Sequence, residues 1–159
     1  MKGYNTPALR RELANYISGY VDGEGCFSVS FSKRQKLIVG WEVKPSFAVG
    51  QNYDRREVLD LMELYFGCGH IRRDWGDKTL KFEVRRLSDL LNKIIPHFLA
   101  FPLKSAKQKD FLQFVEICRR IKNLEHLKKG TLAKIIRSAY TMNGAGKRRF
   151  ALDVILGTL

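Results

Sequence analysis

Between Tyr16 and Phe31 the chain reads YISGYVDGEGCFSVSF, and two carboxylates, Asp22 and Glu24, sit among glycines where a helical pattern gives way to a strand pattern. The setting matters because the chain is basic: 29 Lys and Arg stand against 16 Asp and Glu, a formal charge of +13 over 159 residues. Such an excess on a small domain points to a polyanionic partner, and nucleic acid is the usual one. A carboxylate beside a phosphate-binding surface repels its ligand unless a cation lies between them. A hard divalent ion such as Mg2+ meets that need, because it bridges carboxylate and phosphate oxygens. Other metal chemistry has less support. Cys26, Cys68 and Cys118 never form a CxxC spacing, and His70, His97 and His126 are as scattered, which argues against zinc. The cysteines read as reduced, mostly buried thiols.

Periodicity shows what must position these residues. Thr6 and Pro7 have the types of an N-cap and a first helical residue. Leu9, Leu13, Tyr16, Ile17, Tyr20 and Val21 then recur at helical spacing until Gly23 and Gly25 end the helix. From Cys26 the period is two, with Phe27, Val29 and Phe31 alternating with Ser28, Ser30 and Ser32. KRQK predicts a turn, and LIVGWEVKPSFAV a second strand with Pro45 at an edge position or bulge. Asp54 and Glu57 have capping-box spacing ahead of Val58, Leu59, Leu61, Met62, Leu64 and Tyr65, a helix stopped at Gly67. GHIRRDW and TLKFEVRRL, joined at Gly76-Asp77-Lys78, predict a hairpin with Leu80, Phe82 and Val84 toward the core. A helix over 88–98 carries Pro96, which ends or kinks it. Residues 107–121 and 131–142 also read as helices, and the tail GAGKRRFALDVILGTL gives no clear element.

This order predicts an α+β fold: an α-β-β-α-β-β-α core with a curved four-stranded antiparallel sheet, helices on one face and extra C-terminal helices. One domain is expected over 1–159, with the core at about 7–122 and a helical extension at about 123–159. Hydrophobic residues at 45% exclude a disordered tail, no apolar run is long enough to span a membrane, and MKGYNTPALRREL has no signal-peptide core. These features fit an intracellular protein of the cytoplasm or an organelle. The free sheet face carries Ser28, Ser30, Ser32, Arg34, Glu42, Lys44, Ser46, Arg72, Lys81, Glu83 and Arg85, with Lys36, His70 and Asp74 at its margins. Short hydroxyls alternating with long cations can meet both base edges and phosphates, so these residues are the candidate DNA-binding set.

The run Ile17-Ser18-Gly19-Tyr20-Val21-Asp22-Gly23-Glu24-Gly25 resembles the nonapeptide of the LAGLIDADG homing endonucleases. FAVGQNYDRREVL is similar to the segment entering that family's second helix, and FPLKSAKQKDF resembles its basic loop. HLKKGTLAKIIRSAYTMNGAGKRR is similar to the C-terminal part of its single-motif, intron-associated members, so the resemblance runs from about Asn15 to Phe150.

Gly19 and Gly23 lie four apart and clear one helical face, so two such helices can pack backbone to backbone. The motif occurs once, which makes the partner helix that of a second copy, with Gly19, Gly23, Ser18 and Asn15 at the interface. Two Glu24 carboxylates beside a two-fold axis would share a proton unless a cation separated them. The resemblance therefore implies a homodimeric, Mg2+-dependent, site-specific endonuclease that hydrolyses one phosphodiester per strand of a long, roughly palindromic DNA target. Mn2+ or Ca2+ would substitute at the site, Ca2+ without cleavage. Glu24 is the implied metal ligand, with the Gly23 backbone and Asp22 as further candidates, although Asp22 is expected mainly to accept hydrogen bonds near the helix end. The resemblance assigns Gln51 as a water-ordering amide, Arg55 as a cationic activator and a lysine of the 103–108 loop as a stabiliser of developing charge. Lys104 and Lys107 both fit that last role, with Lys104 favoured. The rival is a non-cleaving RNA-binding splicing cofactor (maturase) or DNA-binding regulator of the same fold. Loss of the motif acid would mark it, and Glu24 is present. A ribosomal-type RNA-binding protein would explain the charge but neither Glu24 nor the glycine face.

Overall fold

The computed structural model describes residues 6–159 except 77 and 145, so the turn residue Asp77 lies outside the described residues. Helix α1 (Pro7–Glu24) starts as its sequence requires: the Thr6 hydroxyl accepts the Leu9 N–H at 3.3 Å, and Pro7 follows in the first turn. Leu13, Ala14, Ile17, Ser18 and Val21 form its buried stripe. The helix passes through Gly23 and stops at Gly25, where a Cβ would lie 2.5 Å from the Val21 side chain and 2.8 Å from its carbonyl oxygen. Only glycine fits that elbow.

Strands β1 (Gly25–Lys33), β2 (Trp41–Asn52), β3 (His70–Asp74) and β4 (Thr79–Val84) form one sheet in the order β1-β2-β4-β3. The pairings β2–β4 and β3–β4 are antiparallel, with Phe47 opposite Val84 and His70 opposite Glu83. The second strand begins later than its apolar run suggests. Leu37 to Gly40 belong to a turn closed by Arg34 N–H to Gly40 O at 2.8 Å, and Gly40 has φ +73°. Pro45 is buried in β2, two residues before the β4 ladder begins at Phe47, so its missing N–H interrupts no bond to β4.

Between β2 and β3 comes α2 (Glu57–Phe66), which ends as expected on Gly67 in the left-handed region at φ 57°. Its expected capping box does not form. The chain enters through a 3-10 turn at Tyr53–Arg55, and Arg56, already helical at φ −67°, holds the cap position with no side-chain cap bond. Asp54 is thus two residues too early. After β4, α3 (Leu87–Asp89) runs through a π-helical stretch, Leu90–Ile94, into α4 (Ile95–Ala100). Pro96 therefore does not end the helix near Phe98. The wider turn ahead of it absorbs the missing donor, and the helix continues to Ala100. Helices α5 (Lys107–Lys122), α6 (Lys129–Tyr140) and α7 (Leu152–Leu156) complete the chain. No described helix is long and apolar enough to cross a membrane.

The fold groups into two compact units that divide β2 between Ser46 and Phe47. One contains α1, the second half of β2, α2 to α4 and the β3–β4 hairpin; Ile17, Val21, Phe47, Val49, Met62, Phe82 and Phe98 are its fully buried centre. The other contains most of β1, the first half of β2 and nearly all of the C-terminal helices. Its core is Phe27, Val29, Trp41, Phe111, Phe114, Ile135 and Ile136, with the Phe27 ring 5.0 Å from Phe111 and 5.4 Å from Phe114. The tail that lacked a sequence signal is ordered here by Arg148, whose guanidinium donates to the carbonyls of Val29, Ala139 and Met142. Of the cysteines only Cys118 is buried, and burial pushes its thiol up to about 12. Cys68 is half-buried and Cys26, on the outward parity of β1, is exposed, which corrects the expectation of mostly buried thiols.

Candidate active site

Glu24 is the last residue of α1, exposed, and its carboxylate makes no hydrogen bond or ion pair among the described residues. Asp22, two residues earlier, is fully engaged. It accepts the backbone N–H groups of Lys104 at 2.9 Å and Ser105 at 3.0 Å, and the Ser105 hydroxyl as well. Burial pushes its carboxyl up, but these donors and the nearby Lys107 outweigh that and hold it below the usual carboxylate range. Asp22 is thus the clamp that ties the 103–108 loop to α1, the structural role expected of it.

Two lysines of that loop part company. Lys104 contributes its backbone to the clamp and leaves its side chain exposed. The Lys107 ammonium donates to the carbonyls of Val21 at 2.9 Å and Gly23 at 3.2 Å, capping the negative end of α1 next to Glu24. Lys107 rather than Lys104 thus has its ammonium against the helix end that carries the motif acid. It also occupies the Gly23 carbonyl, the candidate backbone ligand.

Gln51 and Arg55 line a cleft of about 680 Å³ together with Glu12, Tyr16, Tyr20 and the first turns of α2. Arg55, exposed on the 3-10 turn, makes no ion pair among the described residues. Gln51 is held at both ends, by Asn52 N–H at 2.6 Å and by the Tyr20 hydroxyl. Tyr20 was not among the expected site residues; its helical spacing marked it only as apolar stripe. Burial raises its phenol, the Gln51 hydrogen bond opposes this, and Glu24 and Arg55 both lie close enough to act on it with opposite signs.

On the face of α1 expected to meet a second copy, Asn15, Gly19 and Gly23 are exposed, and a Cβ at either glycine would meet nothing within 4 Å. Ser18 is not on that face. It is buried at 5% exposure, donates to Phe101 O at 2.8 Å and lies 3.1 Å from His97 Nε2. Among the described residues no group of three or more His, Cys, Asp or Glu side chains could enclose a metal. Glu24 is thus a single motif carboxylate rather than part of a cage.

The expected outward side chains divide between the two units. In one, Ser28 and Ser46 share a hydrogen bond of 2.9 Å, Ser30 donates to Lys44 O at 3.4 Å, and Ser32 to Glu42 at 3.4 Å. Glu42 also pairs with Arg34 at 2.7 Å and Lys44 at 3.2 Å, and the Arg34 hydrogen bond leads the interactions that hold its carboxyl low. Lys36 projects from the exposed turn. In the other unit, Arg85, Glu83, Arg72, Asp74 and Lys81 form an alternating chain of pairs at 2.9, 3.1, 3.9 and 2.7 Å, with His70 exposed at its edge. Glu83 is only 5% exposed, so it is a strut between two guanidiniums rather than a free acceptor on the surface.

A helix, two strands, a second helix and a hairpin, followed by further helices, is the fold of the LAGLIDADG homing endonucleases. The chain belongs to that family: the family model for LAGLIDADG endonucleases matches residues 17–118. It is 38% identical over 116 residues to an uncharacterized 50.9 kDa protein in ND4 intron 1 of Podospora anserina, spanning 72% of this chain but a quarter of that one. Homing endonuclease I-ApeII of Aeropyrum pernix is 29% identical over 150 residues, which cover 91% of this chain and 88% of that one. Among solved structures, the archaeal intron-encoded homing endonuclease I-Vdi141I complexed with DNA superposes with a TM-score of 0.85 at 28% identity, over 93% of this chain and 94% of that one.

Proposed function

We propose that this chain is an intron-encoded, site-specific DNA endonuclease that acts as a homodimer with Mg2+ and hydrolyses one phosphodiester on each strand. The carrying observation is Glu24: a carboxylate free of protein partners at the end of the helix whose glycine face is open. What sets it apart is its place at the negative end of α1, where a cation from outside the chain would offset both the helix dipole and the acid. One motif carboxylate per copy suits Mg2+, which takes one or two carboxylates and fills the rest of its shell with phosphate oxygens and water. Glu24 would hold the ion, which when bound supplies a Lewis acid at the phosphate and a more acidic water.

The chain's own groups do the rest. The Gln51 carboxamide orders the attacking water. Arg55 and the Lys107 ammonium offset the negative charge that develops on the phosphate. Asp22 keeps the loop that carries Lys107 against α1. The seryl and cationic side chains of the sheet read the duplex, each copy covering a half-site of about one helical turn, so the target is long and nearly palindromic.

Glu24→Gln keeps the shape and removes the charge. Plasmid cleavage in Mg2+ is expected to fall by more than about a thousandfold, while DNA affinity measured in Ca2+ stays level or rises because a repulsion is gone. A variant that still cuts in Mg2+, or one whose binding fails in parallel with its cleavage, would overturn the assignment.

A further inference from the structure

The clearest unassigned polar contact near the candidate site is the one between Tyr20 and Gln51. The Asn52 backbone N–H meets Gln51 Oε1 at 2.6 Å. A backbone N–H only donates, so it fixes the oxygen end of the carboxamide and turns the amino end toward Tyr20, whose hydroxyl accepts from Nε2. Having accepted, that hydroxyl keeps its own proton to give. Tyr20 also precedes Glu24 by four residues in an unbroken helix, one turn away on the same face. One side chain thus links the amide at the end of β2 to the helix that carries the free acid, and its ring lines the same cleft as Gln51 and Arg55.

We propose that Tyr20 is a positioning residue for Gln51: its hydroxyl holds the carboxamide in the one orientation that presents it to water at the scissile phosphate. The inference rests on the reading of Gln51 as the water-ordering group. Phenylalanine would fill the same space without the hydroxyl, leaving the carboxamide held at its oxygen end alone.

A double-mutant cycle tests it, with Tyr20→Phe, Gln51→Ala and the double variant compared in single-turnover cleavage and in DNA binding with Ca2+. Tyr20→Phe is expected to slow cleavage about tenfold through lost orientation, with DNA affinity within about twofold of the parent. Gln51→Ala is expected to slow it further, and the double variant to match Gln51→Ala alone, because Tyr20 has nothing left to orient. A stabilising role alone would instead lower the unfolding midpoint and leave the cleavage rate of the folded fraction intact. Parental cleavage by Tyr20→Phe, multiplying effects in the double variant, or a loss confined to binding would each overturn the proposal. If Gln51→Ala itself cuts at the parental rate, the water-ordering role of Gln51 fails and the inference falls with it. A slow Gln51→Ala beside a fast Tyr20→Phe removes the inference alone.

Discussion

The C-terminal carbonyls of α1 carry the partial negative charge of the helix dipole, and Val21 O also accepts the Gly25 N–H. The Lys107 ammonium answers that charge at Val21 O and Gly23 O, so its removal has two separable consequences. Lys107→Ala is expected to cost about 0.5–1 kcal/mol of stability from the lost cap. In the proposed reaction it also removes a cation from the phosphate, slowing cleavage by about 10²–10³-fold. Lys104→Ala keeps the backbone N–H that Asp22 uses, so its stability is expected to be unchanged and its cleavage within about threefold, the loss of one exposed phosphate contact. Thermal unfolding and single-turnover rates on both variants decide the matter; an equal or larger effect at Lys104 would return the role to that residue. The sequence reading let both lysines fit and favoured Lys104, because both belong to one short loop and side-chain direction in a loop has no period. Only the clamp of Asp22 on the loop backbone fixes which one turns back to the helix.

At the scale of elements, α1, α2 and α4 are joined by one buried polar chain whose hydrogen positions follow from chemistry. The Phe101 carbonyl only accepts, so Ser18 donates to it and accepts from His97 Nε2–H, which leaves His97 Nδ1 to accept the Tyr65 hydroxyl at 3.0 Å. Burial lowers His97 from 6.5 to about 4, and the folded protein keeps it neutral. The unfolded chain binds a proton there below its ordinary value and the folded one does not, so stability is full above pH 6.5 and declines as pH falls toward 4. Unfolding free energies at about pH 7.5 and about pH 5 should differ in the parent and differ less in His97→Gln. An unchanged difference would place the acid sensitivity elsewhere. Ser18→Ala strands the Nε2–H in the core and should cost about 1–3 kcal/mol near neutral pH. Ser18 shows why the sequence reading erred here. It is a polar residue inside an apolar stripe, and its partner His97 lies 79 positions away, so no local pattern announces the pairing. Leu37–Val39 misled for the opposite reason: an apolar run reads as strand, yet a left-handed Gly40 bends it into a turn and leaves Ile38 95% exposed. The start of α1, the alternation of β1 and the stop at Gly67 were legible because each depends on neighbours in the chain.

For the whole molecule the open question in the proposed mechanism is what covers the glycine face of α1. Glycine inside a helix costs about 0.5–1 kcal/mol relative to alanine. Yet Gly19 and Gly23 stand in α1 where an added Cβ would have nothing within 4 Å. Within one chain, therefore, no described neighbour demands their smallness. A second copy packed backbone to backbone does demand it, and would bring two Glu24 side chains to one place. Gly19→Leu separates the two accounts. If α1 faces only solvent, leucine raises helix propensity, so stability increases slightly while solution mass and cleavage stay as they were. If α1 packs on its twin, the added side chain prevents close approach, and sedimentation should show one-chain mass with double-strand cleavage lost and the fold intact by circular dichroism. Gly130→Leu is the matched control, a glycine near the start of α6 with equally open surroundings and no place in the proposed interface. It should leave mass and cleavage at parental values. A Gly19→Leu protein that still sediments as a dimer and cuts both strands would remove the helix contact from the mechanism, and with it the reason for one carboxylate per chain to suffice.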